Sequence, residues 1–214
     1  IAALLIGERS NFIKILIIIS IFALLIYETN IKYKIFAFLG LIIIFISVLN
    51  INSSYKVRYV EQFTKILTKN GINFYLDNTI YGAHYNVAKE IFKDNKIFGV
   101  GIKNFRIESF SKKYKNLDHP ENDKRGNTHP HQIHYELLAE TGLVGYLGFL
   151  IFILFSLHLS MKTYLKKKNL YQLSAIFFVI ISLLPLLPSG SFFSTYTSGL
   201  FWLQYSIMVG YVDR

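Results

Sequence analysis

The chain has 214 residues, 52% hydrophobic and 16% aromatic, and 23 Lys+Arg against 13 Asp+Glu give a formal net charge of +10. The absence of cysteine excludes disulfides, thiolate metal sites and cysteine nucleophiles. The basic surplus does not point to nucleic acid. Much of it is interleaved with Tyr and Phe beside apolar runs, where an anionic lipid head group or a lipid diphosphate is the better partner.

Residues 12–27 and 35–49 are the first apolar runs. Both fall short of the ~20 residues that span a bilayer core, so they must borrow flanking residues or thin the bilayer locally. Glu8-Arg9 precedes the first run with no cleavage-site pattern, which argues against a signal peptide. The chain reads as the C-terminal part of a longer protein. A long loop follows over residues 50–135, too long to be structureless. Within it, residues 54–69 and 80–93 place apolar residues three and four apart with lysines between, the pattern of amphipathic helices lying on a membrane. Asn70-Gly71 and Asn95 punctuate them, and Phe98-Gly99-Val100-Gly101 predicts a sharp turn. Residues 111–128, charged and carrying Pro120 and Gly126, are expected to be the most mobile part. Three further apolar runs occupy 141–161, 173–188 and 191–212.

The expected fold is therefore an all-α integral membrane protein, a single membrane domain over 1–214. It has about five transmembrane helices and one long outward-facing loop containing short amphipathic helices. Residues 1–49 supply two spans, 50–135 the outward-facing loop, and 136–214 three spans. Lys32 and Lys34 sit in one short connection, and Lys162, Lys166, Lys167 and Lys168 in another. The positive-inside rule makes both cytoplasmic, so the long loop and the Pro185–Ser191 turn face outward.

The most informative stretch is Thr128-His129-Pro130-His131-Gln132 at the end of the loop, followed by Gly142, Gly145 and Gly148. Pro130 biases His129 toward extended backbone, so imidazoles are held at the entrance of a membrane helix. The three glycines predict a bare ridge that a neighbouring helix or lipid chain can approach. His129, His131 and His134 with Glu136 invite a metal reading. The usual long–short ligand spacing is missing, however, and convergence on one ion would require a tight reverse turn. The metal-free reading is preferred. Glu136 and Glu140 share a helix face, which makes glycoside hydrolysis a chemical rival. Carboxylates on adjacent turns lie on one side of a bond rather than flanking it, so helix-dipole and cation-orienting roles are favoured.

His131-Gln132 followed by Gly142-x-x-Gly145-x-x-Gly148 resembles the signature of the O-antigen ligase and O-antigen polymerase superfamily, bacterial inner-membrane glycosyltransferases. Gly7-Glu8-Arg9-Ser10 is similar to that family's arginine before a span. Lys93 to Phe105 resembles its segment with an aspartate, a glycine-x-glycine turn and a phenylalanine, with lysine where proline is usual. Leu187 to Phe193 resembles its last outer turn. The resemblance implies lipopolysaccharide-type polysaccharide biosynthesis. The donor would be an undecaprenyl-diphosphate-linked glycan, and the acceptor lipid A–core (a ligase) or another glycan (a polymerase). Membrane lipids would be the only other partners, with no cofactor, no metal and no nucleic acid.

Such transfer needs a group to neutralise the leaving diphosphate and a group to orient or deprotonate the incoming hydroxyl. Arginine suits the first because its planar fork stays charged and donates twice, and histidine suits the second. Arg9 and His131 are the expected catalytic pair. The position matching the family's second arginine is Tyr81, with His84 one turn later. His84, Arg58, Lys103 or Arg106 could replace it, His84 and Arg106 first. His129, buttressing the turn, and Gln132 complete the expected substrate-binding set, while His134 reads as an interfacial or hydrogen-bonding residue. A polysaccharide or lipid transporter with a basic outward cavity is the non-enzymatic rival, although it should show broken helices at mid-membrane and paired repeats.

Overall fold

The computed structural model describes residues 9–25, 30–51, 53–61, 64–65, 68, 71–185 and 187–212, with all their side chains except those of residues 9, 22–25 and 58. Every regular element among them is helical: α1 Arg9–Leu25, α2 Ile31–Ile51, α3 Ser53–Lys56, α4 Gly71–Asn78, α5 Ile80–Asp94, α6 Phe105–Glu108, α7 Ile133–Lys167, α8 Leu170–Ser182 and α9 Thr195–Gly210. They divide between two compact units, one ending at Ile72 and the other beginning at Asn73.

In the first unit Phe12 of α1 stacks on Phe45 of α2 with ring centroids 5.6 Å apart. Tyr59, in the π-helical turn Val57–Glu61 after α3, meets both rings edge-on at 5.8 and 5.9 Å. The 21 residues of α2 rise about 31 Å, the thickness of a bilayer core. Ile35, Phe36, Phe38, Ile43 and Ile46 are all exposed. A helix that is apolar all round and uncovered by protein is one that hydrocarbon covers. Among the described residues α2 and α7 are long and apolar enough to cross a membrane, while Ser10–Ile21 of α1 and Leu170–Ser182 are apolar but shorter.

The second unit is organised by α5 packed on the start of α7. Thr79 caps α5, its hydroxyl accepting from Gly82 N at 3.1 Å. The apolar face foreseen over 80–93 is the one buried: Val87, Ala88 and Ile91 meet Ala139 of α7, with Phe105 and Tyr114 closing the cluster. Preceding α5, α4 was not anticipated, because Asn70-Gly71 reads as a stop. Gly71 instead opens a new helix, and α5 fits against its end through Gly82, where a Cβ would lie 1.9 Å from Leu76 O. The charged 111–128 stretch folds back onto this pair rather than standing free. Tyr114 Oη donates to Asp94 Oδ2 at 2.8 Å and Asn122 Nδ2 to Lys115 O at 2.6 Å, with Tyr114 and Asn122 both buried.

The 35-residue α7 is broken at Gly142, whose φ of 63° and ψ of −167° lie in a region essentially closed to other residues. The break frees backbone groups on both sides, and the loop after α5 takes them up. Val100 N and Gly101 N donate to Ala139 O (3.0 Å) and Glu140 O (2.9 Å), while Leu143 N and Val144 N donate to Lys96 O (2.8 Å) and Ile97 O (3.1 Å). The expected glycine ridge is therefore corrected. Only Gly142 meets a close neighbour of this kind, and that neighbour is the loop, a Cβ there falling 2.4 Å from Ile97 O. At Gly145 a Cβ would strike its own helix's Thr141 side chain, and at Gly148 it would meet nothing within 4 Å. Glycines three apart look alike in sequence whether they admit a helix or relieve a bend.

The predicted run from 173 begins a helix at Leu170, capped by Asn169 Oδ1, and the last run becomes helical only at Thr195, after the Ser194 cap. The intervening turn is bound to the start of α7.

Candidate active site

The Thr128–Gln132 turn is anchored at its end by Gln132. This residue is 2% exposed, and its Oε1 caps α7 by accepting from His134 N at 2.7 Å and Tyr135 N at 3.0 Å. His131 has φ +58°, a left-handed backbone uncommon outside glycine. Its carbonyl accepts from Ser189 N at 2.8 Å. Glu136, buried within the first turns of α7, receives the Ser191 hydroxyl and, at 2.7 Å, Phe192 N. His134 gives Nε2–H to Leu183 O at 2.7 Å, with Nδ1 facing Tyr146 Oη at 3.1 Å. Four ties thus dock the turn between α8 and α9 onto the histidine segment.

The second carboxylate, Glu140, accepts from Lys103 N at 2.6 Å and Phe105 N at 3.1 Å. It fixes the start of α6 and with it the positions of Lys103 and Arg106. Neither carboxylate faces the other across a groove, so the arrangement is that of two backbone anchors rather than a hydrolytic pair.

Three imidazoles converge. The His131 ring centroid lies 4.1 Å from that of His129 and 5.4 Å from that of His84, with Tyr81 edge-on at 5.5 Å. Between His131 and His84 stands Asn127. Its Oδ1 accepts from Thr128 N at 2.7 Å, which turns the amide nitrogen toward both rings, 3.1 Å from His131 Nε2 and 3.3 Å from His84 Nε2. An amide nitrogen only donates, so both Nε2 atoms are bare acceptors. His84 accordingly carries its proton on Nδ1, 3.0 Å from Arg125 O. Burial, then the neighbouring His129 and His84, lower the His131 pKa to about 4. Burial likewise lowers His84, and burial followed by the proximity of His84 and Arg106 lowers His129. With His134 turned away, no group of three or more His, Cys, Asp or Glu among the described residues is placed to hold a metal ion.

Beside this cluster lies a cavity of about 490 Å³ lined by Lys103, Arg106, His129, Ser191, Ser194 and Thr195, among others. Lys103 and Arg106 are exposed and bring two positive charges to it. The N-terminus of α9 at Thr195 adds the positive end of a helix dipole. The structure thus brings His84, His129, His131, Lys103 and Arg106 into one neighbourhood, while Gln132 sits behind them as a cap. The side chains of Arg9 and Arg58 lie outside the described ones, as do residues 1–8 of the Gly7–Ser10 motif.

A family profile described as O-antigen ligase matches residues 1–150, a span that holds the histidine turn, the glycine joint and both loop cations. The chain belongs to the O-antigen ligase family. No curated protein and no solved structure matches it. Family membership gives it an activity of the O-antigen ligase or polymerase type, acting on polysaccharide and lipid-linked substrates, and with its apolar helices makes it a bacterial inner-membrane protein. Asn127 has no counterpart in the sequence reading. Its bridge reaches His84, a partner 43 positions away, and no local pattern announces that. The Asn-Thr pair, able to form a local side-chain-to-backbone turn, was the one available hint.

Proposed function

We propose that the chain is a glycosyltransferase that moves a glycan from a polyprenyl-diphosphate donor to an acceptor hydroxyl, either lipid A–core or another lipid-linked glycan. The observation that carries this reading is the cavity lined by His129 and the cations Lys103 and Arg106, standing directly beside a neutral His131. In the proposed step the acceptor oxygen attacks sugar C1 and the bond from C1 to the diphosphate oxygen breaks. The electron pair leaves with the diphosphate, and the hydroxyl proton passes to His131 Nε2. Lys103 and Arg106 offset the growing charge on the leaving group. Arg9 is assigned the bidentate diphosphate contact, and His84 and Gln132 hold the geometry around His131.

The test is transfer by purified protein in lipid nanodiscs, supplied with a lipid-diphosphate glycan and acceptor in excess EDTA. Transfer is expected to persist, because cations of the protein replace a divalent ion at the leaving group. Activity lost to EDTA and restored by zinc or magnesium would defeat the metal-free mechanism, and no transfer under any condition would defeat the enzymatic reading. In a host lacking the full-length gene, free lipid-linked polymer marks a ligase and single repeat units on core mark a polymerase.

The same reading carries five spans, with residues 50–135 in the periplasm. A reporter fused after Lys168 should be active only in the cytoplasm and one inserted near Asn122 only outside, since the short lysine-rich connections set orientation. The reverse pattern would put His131 on the wrong side for this donor.

A further inference from the structure

Asn127 is held by its neighbours and holds two histidines in turn. Thr128 N fixes the amide oxygen at 2.7 Å, and Ser109 Oγ meets both Asn127 N and Asn127 O at 3.3 Å, so backbone and side chain are both tied. The amide nitrogen is left with two hydrogens and two acceptors, His131 Nε2 and His84 Nε2. A proton on either Nε2 would point at an N–H and break the bridge. The bridge is therefore compatible with one charge state of the pair, both neutral, and with one tautomer of each, Nδ1–H.

We propose that Asn127 is a positioning residue that locks His131 as a neutral Nδ1–H imidazole whose Nε2 lone pair faces the Asn127 amide. Before the acceptor arrives, the Asn127 N–H occupies that lone pair and marks where the acceptor hydroxyl must donate. On arrival the hydroxyl takes its place, and the amide keeps its bond to His84. The strained backbone of His131, φ +58°, fits this account, because a left-handed non-glycine residue persists only where its surroundings over-determine it. Other groups that bear on the titration of His131 are Tyr81 and His84 from α5, His129 from its own turn and the Ser189 backbone from the turn between α8 and α9, which alone favours the charged ring, with the Arg106 charge of α6 acting on His129. None of these is an acid, so none supplies the negative charge that would hold a proton on Nε2.

The functional half of the proposal rests on His131 accepting the hydroxyl proton, and the experiment separates the two halves. Protein with ¹⁵N-labelled histidine is reconstituted in nanodiscs, with His84→Gln and His131→Gln used only to assign resonances. In the wild type His131 Nε2 should resonate as an unprotonated nitrogen at pH 7, and an Nε2–H tautomer would overturn the clamp with no variant needed. Asn127→Asp replaces a donor by a carboxylate, which favours Nε2–H and the charged ring. His131 should then titrate at least about one pH unit higher, and the acid limb of the transfer profile should move toward neutral by the same amount. Asn127→Ala should lower transfer roughly ten- to a hundred-fold through lost orientation and move the limb in the same direction by less than Asn127→Asp does, since the donor is gone but burial and the neighbouring imidazoles remain. An unchanged His131 titration in folded Asn127→Asp would sink the proposal. A titration that moves while the transfer profile stays fixed would uphold the clamp and remove His131 as the proton acceptor.

Discussion

Replacing His131 by alanine is expected to cut glycan transfer roughly 10²–10⁴-fold, the usual worth of a positioned general base, while expression and membrane insertion stay at wild-type levels. Folding should be spared because the imidazole is not what holds the turn. The carbonyl of His131 bonds Ser189 N, and Gln132 caps α7; alanine keeps both. His134→Ala and Glu136→Gln should be milder in rate, since their side chains tie α7 to the turn between α8 and α9 and a glutamine oxygen can still accept from Phe192 N. Arg9→Lys should also transfer poorly, because a point charge does not reproduce a planar two-pronged donor on a diphosphate. Initial rates of transfer, normalised to inserted protein by immunoblot, check the series. If His131→Ala retained more than a tenth of wild-type transfer, His131 would not be the base.

What the sequence announced well was whatever depends on local chemistry. The three-and-four apolar spacing was enough for α5, and two histidines around a proline before a helix singled out a turn that the structure places beside His84. Lys103 and Arg106 were picked as cations near that site, and Glu140 is the reason they reach it, through its grip on Lys103 N and Phe105 N. A cation-orienting role was expected of Glu140, but the means was invisible beforehand, because it works through backbone N–H groups 35 and 37 positions away rather than through a charge pair. Gln132, expected among the substrate-binding residues, caps α7 through its Oε1, a role that the preference for Ser, Thr, Asp and Asn would not assign to it. The order in 111–128 also escaped a reading from charge, since it comes from Tyr114 and Asn122 reaching particular partners across the loop.

The other large effect belongs to the joint between the glycine-x-glycine turn and α7. Gly142→Ala is expected to destabilise the second unit by at least about 3 kcal/mol. The backbone region alone costs a non-glycine residue about 1–3 kcal/mol. In addition the new Cβ would sit 2.4 Å from Ile97 O and 2.6 Å from Gly99 N, backbone atoms that cannot turn aside. The chain's alternative is to straighten α7 through residue 142. That returns Ala139 O and Glu140 O to Leu143 N and Val144 N and strips Lys96 O, Ile97 O, Val100 N and Gly101 N of their partners, each worth about 0.5–1.5 kcal/mol. The loop would then drift, and Lys103 and Arg106 with it, so transfer should fall along with stability. Gly148→Ala is the matched control, because its Cβ enters open space and alanine favours a helix by up to about 1 kcal/mol over glycine. Thermal melts of both variants in detergent settle the matter. A Gly142→Ala protein that melts with Gly148→Ala and keeps its transfer rate would mean that the bend in α7 is incidental to the site.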